Sequence, residues 1–353
     1  MTAILEAIDL AKHFPVATGV LGRTSALVRA VDGVSFALDA GEAFAIVGES
    51  GCGKSTIARL LLRLLEPTRG TIHLEDRDLA RLSASELRAA RGKLQIVFQD
   101  PYGSLNPRMT VEAMLDEPLR LHGVVPHAGR AERIVELLAL VGLPRDAALR
   151  YPHEFSGGQR QRIAIARALA SEPRVIVCDE PVSALDVSIQ AQILNLLAEL
   201  QRTFGLAFVL ISHDLAVVRQ IATRIAVMYL GRFVETGTAE DVFARPLHPY
   251  TRALLSAVPV PIVRERVGGA VTAGDVPSPL APPPGCHFHP RCPHVVERCR
   301  HEVPSVETQG ARTVACHRWR EIGTATIEMP KRGHNPALAR LQAAFAEHGA
   351  RTE

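Results

Sequence analysis

Apolar and polar residues follow two different patterns along the chain, and each pattern predicts its own kind of element. The runs "AFAIV" (43–47), "VIVC" (175–178) and "AFVLI" (207–211) are short, continuous and rich in β-branched residues, which is typical of strands buried on both faces. The stretches "TVEAMLDEPLRLHG" and "AERIVELLALVGL" carry apolar residues at helical spacing. Together they predict an α/β fold with a parallel-sheet core and an inserted helical subdomain over about residues 100–171.

The pattern also divides the chain into segments. The strand and helix pattern ends near residue 260, and the proline-rich stretch "PSPLAPPPG" then leads into a cysteine-rich segment. We therefore predict a main domain over 1–260, a small cysteine-rich extension over 261–325 and a tail over 326–353. The tail stretch "NPALARLQAAFAEHGARTE" predicts a short amphipathic helix.

Composition narrows the class of protein. Of the 353 residues, 47% are hydrophobic and 22% are charged, which is enough apolar sequence for a globular core. A net charge of +3, without a basic stripe interleaved with aromatic residues, argues against a nucleic-acid partner. The apolar runs fall short of a membrane span, and the N-terminal stretch "MTAILEAIDLAKHF" does not resemble a signal peptide. We expect a cytoplasmic protein, in which clustered cysteines favour metal over disulfides.

A glycine-rich loop between a predicted strand and a predicted helix has the pattern G-x4-G-K-S, from Gly48 to Ser55. Glycines allow the backbone to turn its amides onto phosphate oxygens, and the following helix points its positive end at the same place. Lys54 would neutralise the outer phosphates and the Ser55 hydroxyl would ligate Mg²⁺. The apolar positions Ile57, Leu60, Leu61 and Leu64 predict the helix after the loop.

Two acids follow the strand in "RVIVCDEP". A nucleoside-triphosphate site needs an acidic strand end, where Asp179 would hold Mg²⁺ and Glu180 would orient the attacking water. A second anion-binding helix start occurs in "EFSGGQRQRIAIARALA", with Ser156 as the predicted N-cap. Because one triphosphate cannot easily use both helix starts of one molecule, the arrangement favours a dimer whose two subunits share each nucleotide.

In order and spacing these motifs resemble those of the ABC ATPase family over roughly residues 4–260. The motifs are the Walker A loop Gly48–Thr56, Gln99 in "IVFQDP", the signature Ser156–Gln159, the Walker B pair Asp179 and Glu180, the D-loop Ser183–Asp186 and His213 in "VLISHD". The signature opens with Phe155, where the family more often has leucine.

The resemblance implies a role for each site residue. Glu180, His213 and Gln99 would be catalytic, with His213 at the terminal phosphate and Gln99 joining Ser55 and Asp179 around Mg²⁺. Phe14 is the candidate for stacking on adenine, although a phenylalanine there also suits a small core. The residues implied to bind ATP are Phe14, Gly48, Glu49, Ser50, Gly51, Cys52, Gly53, Lys54, Ser55, Thr56, Gln99, Ser156, Gly157, Gly158, Gln159 and Asp179.

Three functional classes compete for such an ATPase: a transporter subunit, an ATPase acting on nucleic acid or ribosomes, and a soluble ATPase with a regulatory metal cluster that is not coupled to transport. Longer stretches resemble the F-type subunit of the oligopeptide/dipeptide importer branch, including "FQDPYGSLNPRMTV" and "HPYTRALLSAVP". That resemblance implies a peripheral protein on the cytoplasmic face of the inner membrane. It also implies a second, non-identical ATPase subunit, two permeases and an extracytoplasmic peptide-binding protein.

Four of the six cysteines stand near the C-terminus, at Cys286, Cys292, Cys299 and Cys316, with the spacing C-x5-C-x6-C-x16-C. Four thiolates suit a 4Fe–4S cluster or a tetrahedral zinc. The spacing lacks the paired C-x2-C knuckles of zinc ribbons, and the importer branch is known for such a cluster, so iron–sulfur is favoured. Zinc and metal-free packed thiols remain the alternatives. Cys52 and Cys178 lie within nucleotide motifs and read as packing residues.

Overall fold

A computed structural model of the chain describes residues 3–17, 24–257 and 275–323. The strands are β1 Leu5–Ala17, β2 Thr24–Leu38, β3 Ala43–Val47, β4 Arg69–Leu74, β5 Arg77–Asp78, β6 Leu94–Val97, β7 Val175–Asp179, β8 Ala207–Ser212, β9 Arg224–Tyr229, β10 Arg232–Thr238, β11 Glu307–Gln309 and β12 Arg312–Val314. The helices are α1 Lys54–Leu61, α2 Ala84–Lys93, α3 Pro101–Ser104, α4 Val111–His122, α5 Arg130–Leu140, α6 Gly157–Leu169, α7 Val187–Phe204, α8 Leu215–Ile221, α9 Ala239–Ala244, α10 Pro249–Ser256, α11 Glu297–His301 and α12 Trp319–Ile322.

The main sheet has the strand order β11-β12-β10-β9-β3-β8-β7-β6. Five consecutive strands, from β9 to β6 at one edge, run parallel, which confirms the predicted parallel core. β3, β7 and β8 are fully buried along their length, as their continuous apolar runs predict. Since parallel strands end at the same edge of a sheet, the segments that follow β3, β6, β7 and β8 meet there.

A second sheet, antiparallel with the order β2-β1-β4-β5, packs on the other side of α1. The sequence pattern did not indicate it as a separate layer. Its two long strands change register several times, between Ala7 and Leu10 and again between Lys12 and His13, for example. Each shift moves the next side chains to the opposite face, so the period-2 alternation that marks a half-buried strand is interrupted.

The helix after the phosphate loop is shorter than predicted. It ends at Leu61, and Leu64, which we placed on its apolar face, is 48% exposed. Arg63 adopts a left-handed conformation with φ of 50°, which stops the helix. The Arg63 guanidinium donates to the carbonyls of Leu79 and Leu82 and so stabilises this turn.

Helices α3 to α6 occupy the chain between β6 and β7. They pack on one another and on the main sheet through fully or almost fully buried apolar residues, among them Val111, Met114, Leu137 and Ile163. These helices form the inserted helical part of the fold, and they carry the start of α6, at Gly157, to the same side of the molecule as α7.

The cysteine-rich extension shares the main sheet instead of standing apart. β12 pairs antiparallel with β10, and β11 pairs with β12, so the extension adds two strands to the sheet edge. Phe288 is buried in the main core against Tyr229 and Tyr250. The extension is therefore held by backbone pairing and by apolar contacts.

None of the helices within the described ranges is long and apolar enough to cross a membrane. The helix predicted in the tail, over 326–353, lies outside the described residues.

Candidate nucleotide site

The glycine-rich loop runs from β3 into α1 and needs its glycines for two reasons. Gly51 and Gly53 have φ values of 79° and 109°, which side-chain-bearing residues rarely adopt. A Cβ at Gly53 would also overlap the carbonyl of Ala30, on the neighbouring strand β2. The loop therefore has a tight, glycine-dependent shape at the start of a helix, which is where backbone amides bind phosphate.

Lys54 is the buried cation of this loop. Its side-chain amine donates to the carbonyls of Gly48 at 2.8 Å and Glu49 at 3.0 Å, so the ammonium group lies inside the curve of the loop. A buried positive charge is stabilised by such partners and by anions. Phosphate oxygens would be stronger partners than neutral carbonyls.

Ser55 and Asp179 meet at the junction of the loop and β7. The Ser55 hydroxyl donates to the Asp179 carboxylate at 2.9 Å. Burial raises the pKa of Asp179, and the Ser55 hydrogen bond opposes that rise. Mg²⁺ prefers oxygen ligands and commonly uses one or two protein groups together with phosphates, so this hydroxyl and carboxylate suit it. The sequence predicts three Mg²⁺ ligands, Ser55, Asp179 and Gln99. The structure brings Ser55 and Asp179 together, and Gln99 contacts Glu180.

Two side chains from the ends of neighbouring strands contact the Glu180 carboxylate. Gln99, after β6, donates to Glu180 Oε2 at 2.9 Å, and Nδ1 of His213, after β8, lies 3.0 Å from Oε1. Glu180 itself has a left-handed φ of 50°, a costly conformation for a residue with a side chain. Its side chain is 12% exposed and that of His213 is 50% exposed. Glu180 therefore contacts both of the other residues predicted to be catalytic.

The signature Ser156–Gln159 begins α6 as predicted. Ser156 is the N-cap, and its hydroxyl accepts from the amide of Gln159 at 3.3 Å, while the Gln159 side chain accepts from the Ser156 amide at 3.0 Å. A Cβ at Gly158 would lie 2.5 Å from Ile189 of α7, so only glycine fits there. The close packing of α6 on α7 fixes the direction of this helix start.

The pocket beside the phosphate loop is lined by Val28, Arg29, Ala30, Ser50–Thr56, Gln99, Glu180, His213, Leu230, Gly231 and Pro279. Among the residues that the structure describes, this lining includes the phosphate loop and all three contacting catalytic candidates. The signature of the same chain does not belong to it. The second anion-binding helix start is therefore not part of the pocket at the chain's own phosphate loop.

Phe14, the candidate for adenine stacking, lies on β1 opposite Val28 and is half-buried. The Lys12 amine is 5.3 Å from the centre of its ring. Phe14 is not part of the described pocket lining, whereas its neighbour Val28 is. Sequence reasoning missed Arg29, Ala30 and Pro279, because no motif marks a β2 edge or a linker proline as part of a nucleotide pocket.

The four C-terminal cysteines converge. Cys286, Cys292, Cys299 and Cys316 all line one small enclosed cavity, together with His289, His294 and His317. All four cysteines are free thiols. Burial raises the pKa of Cys286 to about 12 and that of Cys292 to about 11. As the side chains stand, no group of three or more His, Cys, Asp or Glu within the described ranges is arranged to hold a metal ion.

Cys52 and Cys178 lie elsewhere and are buried in the two main cores. Burial raises the pKa of both thiols. They therefore behave as small apolar side chains, as predicted.

Two families match the chain. The family described as "ABC transporter" matches residues 31–183. The family described as "Oligopeptide/dipeptide transporter, C-terminal region" matches residues 234–299, which includes three of the four C-terminal cysteines.

Curated relatives match almost the whole chain. An oligopeptide transport ATP-binding protein of Bacillus subtilis is 51% identical over 89% of this chain and 97% of its own length. A dipeptide transport ATP-binding protein of Escherichia coli is 50% identical over 89% of this chain and 93% of its own length. A probable peptide ABC transporter ATP-binding protein of Sinorhizobium fredii is 53% identical over 89% and 90%.

Solved structures share the fold. A dimeric, post-hydrolysis state of an ATP-binding cassette bound to ADP and Pi superposes with a TM-score of 0.58 and 29% identity, over 67% of this chain and 98% of that one. The protein cbiO1 of Clostridium perfringens, described as part of the ABC transporter complex cbiONQ, superposes with a TM-score of 0.59 and 28% identity, over 69% of this chain and 91% of that one.

Proposed function

Because the chain belongs to the family of ABC transporter ATP-binding proteins, in its oligopeptide/dipeptide branch, we propose that it hydrolyses ATP to energise import of oligopeptides, dipeptides or related small solutes. The relatives that are 50–53% identical to this chain are named for peptide transport, and the matched C-terminal family is a transporter family. The proposed ATPase activity rests on one observation: Gln99 and His213 both contact Glu180, next to the Ser55–Asp179 pair.

Nucleotide binding falls to the phosphate loop. The loop amides and the N-terminus of α1 would bind the phosphate oxygens, and Lys54 would exchange its carbonyl partners for the outer phosphates. Ser55, Asp179 and Gln99 would hold Mg²⁺, which supplies neutralisation of the phosphate charge when it is bound with ATP. Adenine stacking on Phe14 stays a proposal. It is supported by the place of Phe14 on β1, opposite Val28 of β2, which lines the pocket.

Hydrolysis falls to Glu180 and His213. Glu180 would orient a water molecule and accept its proton while the water oxygen attacks the γ-phosphorus. The bond from the γ-phosphorus to the bridging oxygen breaks, and that oxygen leaves with ADP. His213 would contact the γ-phosphate, since its ring is half exposed at the pocket wall. Gln99 would link this centre to α3 and the helices that follow it.

We propose that each nucleotide is shared between two ATPase subunits. The signature of a partner, a second and non-identical ATPase subunit, would close this chain's pocket over the γ-phosphate, and the amides at the start of α6, Ser156–Gln159, would do the same for the partner's nucleotide. Two facts support this arrangement: the signature lies outside its own chain's pocket lining, and cassettes of this fold include a dimer bound to ADP and Pi.

Coupling to the membrane would pass through the segment after Gln99. In α3, the Tyr102 side chain is 66% exposed, and the Arg160 guanidinium of α6 lies 3.6 Å from the centre of its ring. Arg167 of α6 donates to the Ser104 carbonyl. An exposed segment tied to the signature helix is suited to transmit movement to a permease, and we propose two permeases as its partners, served by an extracytoplasmic peptide-binding protein. The subunit would then lie peripherally on the cytoplasmic face of the inner membrane.

For the extension we propose a 4Fe–4S cluster on Cys286, Cys292, Cys299 and Cys316, with zinc as the alternative. The convergence of all four thiols on one cavity supports a bound metal. Thiols of raised pKa are neutral without a cation and become thiolates when one binds, so the cavity fits a metal site on chemical grounds. The side chains would have to close on the metal from their present positions.

The rival reading, a soluble ATPase with a regulatory metal cluster that is not coupled to transport, has no support. The family matched over 234–299 is a transporter family, and the relatives named above are transport proteins.

Reconstitution tests the proposed function. The subunit, its partner ATPase and two permeases in proteoliposomes should take up a labelled di- or oligopeptide only with ATP, Mg²⁺ and the binding protein present. Replacing this subunit by its Glu180→Gln variant should stop both uptake and phosphate release. Uptake that continues with the variant, or that requires no ATP, would contradict the proposal.

A further inference from the structure

The phosphate loop contains an acid at its second position. Glu49 follows Gly48, and its side chain is 27% exposed. Glu49 is not among the described residues that line the pocket, but a carboxylate on the loop lowers the positive potential on which the loop's affinity for ATP depends. A group that offsets this charge would therefore strengthen ATP binding.

The offset comes from the C-terminal extension. Arg291 donates from Nη1 to Oε2 of Glu49 at 2.8 Å and from Nη2 to Oε1 at 2.9 Å. This is the paired geometry that a guanidinium and a carboxylate adopt in their strongest contacts. The two residues are 242 positions apart in the chain, and the side chain of Arg291 is only 7% exposed. Water screens such a pair far less than it screens a surface pair.

The backbone of Glu49 is held from the same side. Its amide donates to the Tyr250 hydroxyl at 2.9 Å. Tyr250 is buried against Tyr229 and Phe288, with ring centres 4.6 and 5.4 Å away. Both the main chain and the side chain of this loop residue are therefore fixed by groups outside the loop.

Arg291 is itself fixed by the extension. It ends a short 3-10 helix, His289–Arg291, in the segment between Cys286 and Cys292. Its guanidinium lies 5.9 Å from the ring centre of Phe288 and 6.0 Å from that of Tyr229, within range of a cation–π contact. Placing Arg291 thus requires the extension to be folded onto the main core.

We propose that the extension is part of the nucleotide site, with Arg291 as a positioning residue that neutralises Glu49 and holds the phosphate loop ready for ATP. This inference rests on the proposed ATP-binding function. It gives the extension a role in ATP affinity that is separate from any metal it holds, and it makes the extension's attachment a condition for tight ATP binding.

The test is Mg·ATP affinity of the full-length chain, measured with a fluorescent ATP analogue. Arg291→Gln removes the charge at nearly constant size, and we expect about 10-fold weaker binding, as for the loss of one charge-assisted hydrogen-bonded pair. Adding Glu49→Gln removes the uncompensated acid, so the double variant should return to within about threefold of wild type. Arg291→Lys keeps the charge but loses the paired geometry, so it should weaken binding by less than Arg291→Gln does.

The matched control is Arg298→Gln. Arg298 of α11 pairs with Glu302, which directly follows that helix, and both side chains are exposed, so this change should leave ATP affinity unaltered. Saturating ATP should restore the turnover of Arg291→Gln, because the loss lies in KM and not in kcat.

Three results would overturn the inference: Arg291→Gln within threefold of wild type, a loss that the added Glu49→Gln does not relieve, or an equal loss in Arg298→Gln. If Arg291→Gln does not fold, Glu49→Gln alone decides, because removing the acid must not weaken ATP binding. A wild-type chain that binds no ATP would instead refute the proposed function itself.

Discussion

His213 and Glu180 are hydrogen-bonded across the ends of two neighbouring parallel strands, with Nδ1 of the histidine 3.0 Å from Oε1 of the glutamate. An ionised carboxylate only accepts hydrogen bonds, so Nδ1 of His213 is the donor in this contact. The contact leaves Oε2 of Glu180 to Gln99. A water molecule bound here would meet one proton acceptor and two orienting groups.

Glu180→Gln tests the role of that acceptor. The amide keeps the size and most hydrogen bonds of the carboxylate but cannot take up the proton of the attacking water. We expect steady-state ATP hydrolysis to fall by at least about 100-fold, while ATP still binds and traps the paired subunits. Phosphate release and size-exclusion chromatography with ATP measure the two effects. Glu199→Gln, at an exposed position of α7, is the control and should behave as wild type.

Lys54→Ala tests the phosphate loop. Removing the buried ammonium deletes the charge that would meet the outer phosphates, and we expect about 10- to 100-fold weaker binding of Mg·ATP. Titration with a fluorescent ATP analogue measures it. Lys93→Ala, at a half-exposed lysine paired with Glu75, should leave affinity unchanged. Wild-type affinity in Lys54→Ala would remove the lysine from the site.

His248 predicts a pH dependence of stability. It is buried at the start of α10, where Nδ1 accepts from the Tyr250 amide, and burial lowers its pKa from 6.5 to about 3. The unfolded chain therefore takes up a proton at His248 as the pH falls below 6.5, whereas the folded chain does so only near pH 3. The contribution of His248 to the free energy of unfolding is therefore complete above pH 6.5 and is lost as the pH drops toward 3. We expect a loss of about 2 kcal/mol at about pH 5 relative to about pH 8.

The variant that checks this origin is His248→Asn, which keeps a helix-capping acceptor but does not titrate. Denaturant unfolding at both pH values should show that this part of the loss has disappeared. His127→Asn, at an exposed histidine, should retain it. An unchanged pH dependence in His248→Asn would assign the loss to other groups.

The cysteine cavity predicts a bound metal. Protein purified without oxygen should contain iron, with the broad visible absorption of a thiolate-ligated cluster, or else zinc without colour. Cys299→Ser should lose the metal, whereas Cys178→Ala, at a buried cysteine of the main core, should keep it. Elemental analysis decides, and intact protein with neither metal would exclude both.

The sequence allowed us to predict those site residues that directly follow a strand or cap a helix. Each strand is a short apolar run, and the fixed edge of a parallel sheet brings Gln99, Glu180 and His213 together whatever their separation in the chain. The N-cap role of Ser156 was predictable for a similar reason, since capping is local.

Long-range pairs were not predictable in this way. Nothing in the local pattern of β10 indicates that β12 will pair with it, because sheet-edge pairing depends on tertiary packing. The ion pair of Glu49 with Arg291 joins residues 242 positions apart, and neither residue has a periodicity that marks its partner. The length of α1 was also wrong, because the left-handed Arg63 is held by tertiary hydrogen bonds that periodicity does not report.

The shared nucleotide is the claim on which the account depends, and a structure of the Glu180→Gln chain paired with its partner ATPase and bound to Mg·ATP tests it most directly. We expect the γ-phosphate to lie between Lys54 of one subunit and the signature helix start of the other, with the Ser156–Gln159 amides of this chain facing the second nucleotide. A nucleotide enclosed by one subunit alone, with Ser156–Gln159 exposed to solvent, would contradict it.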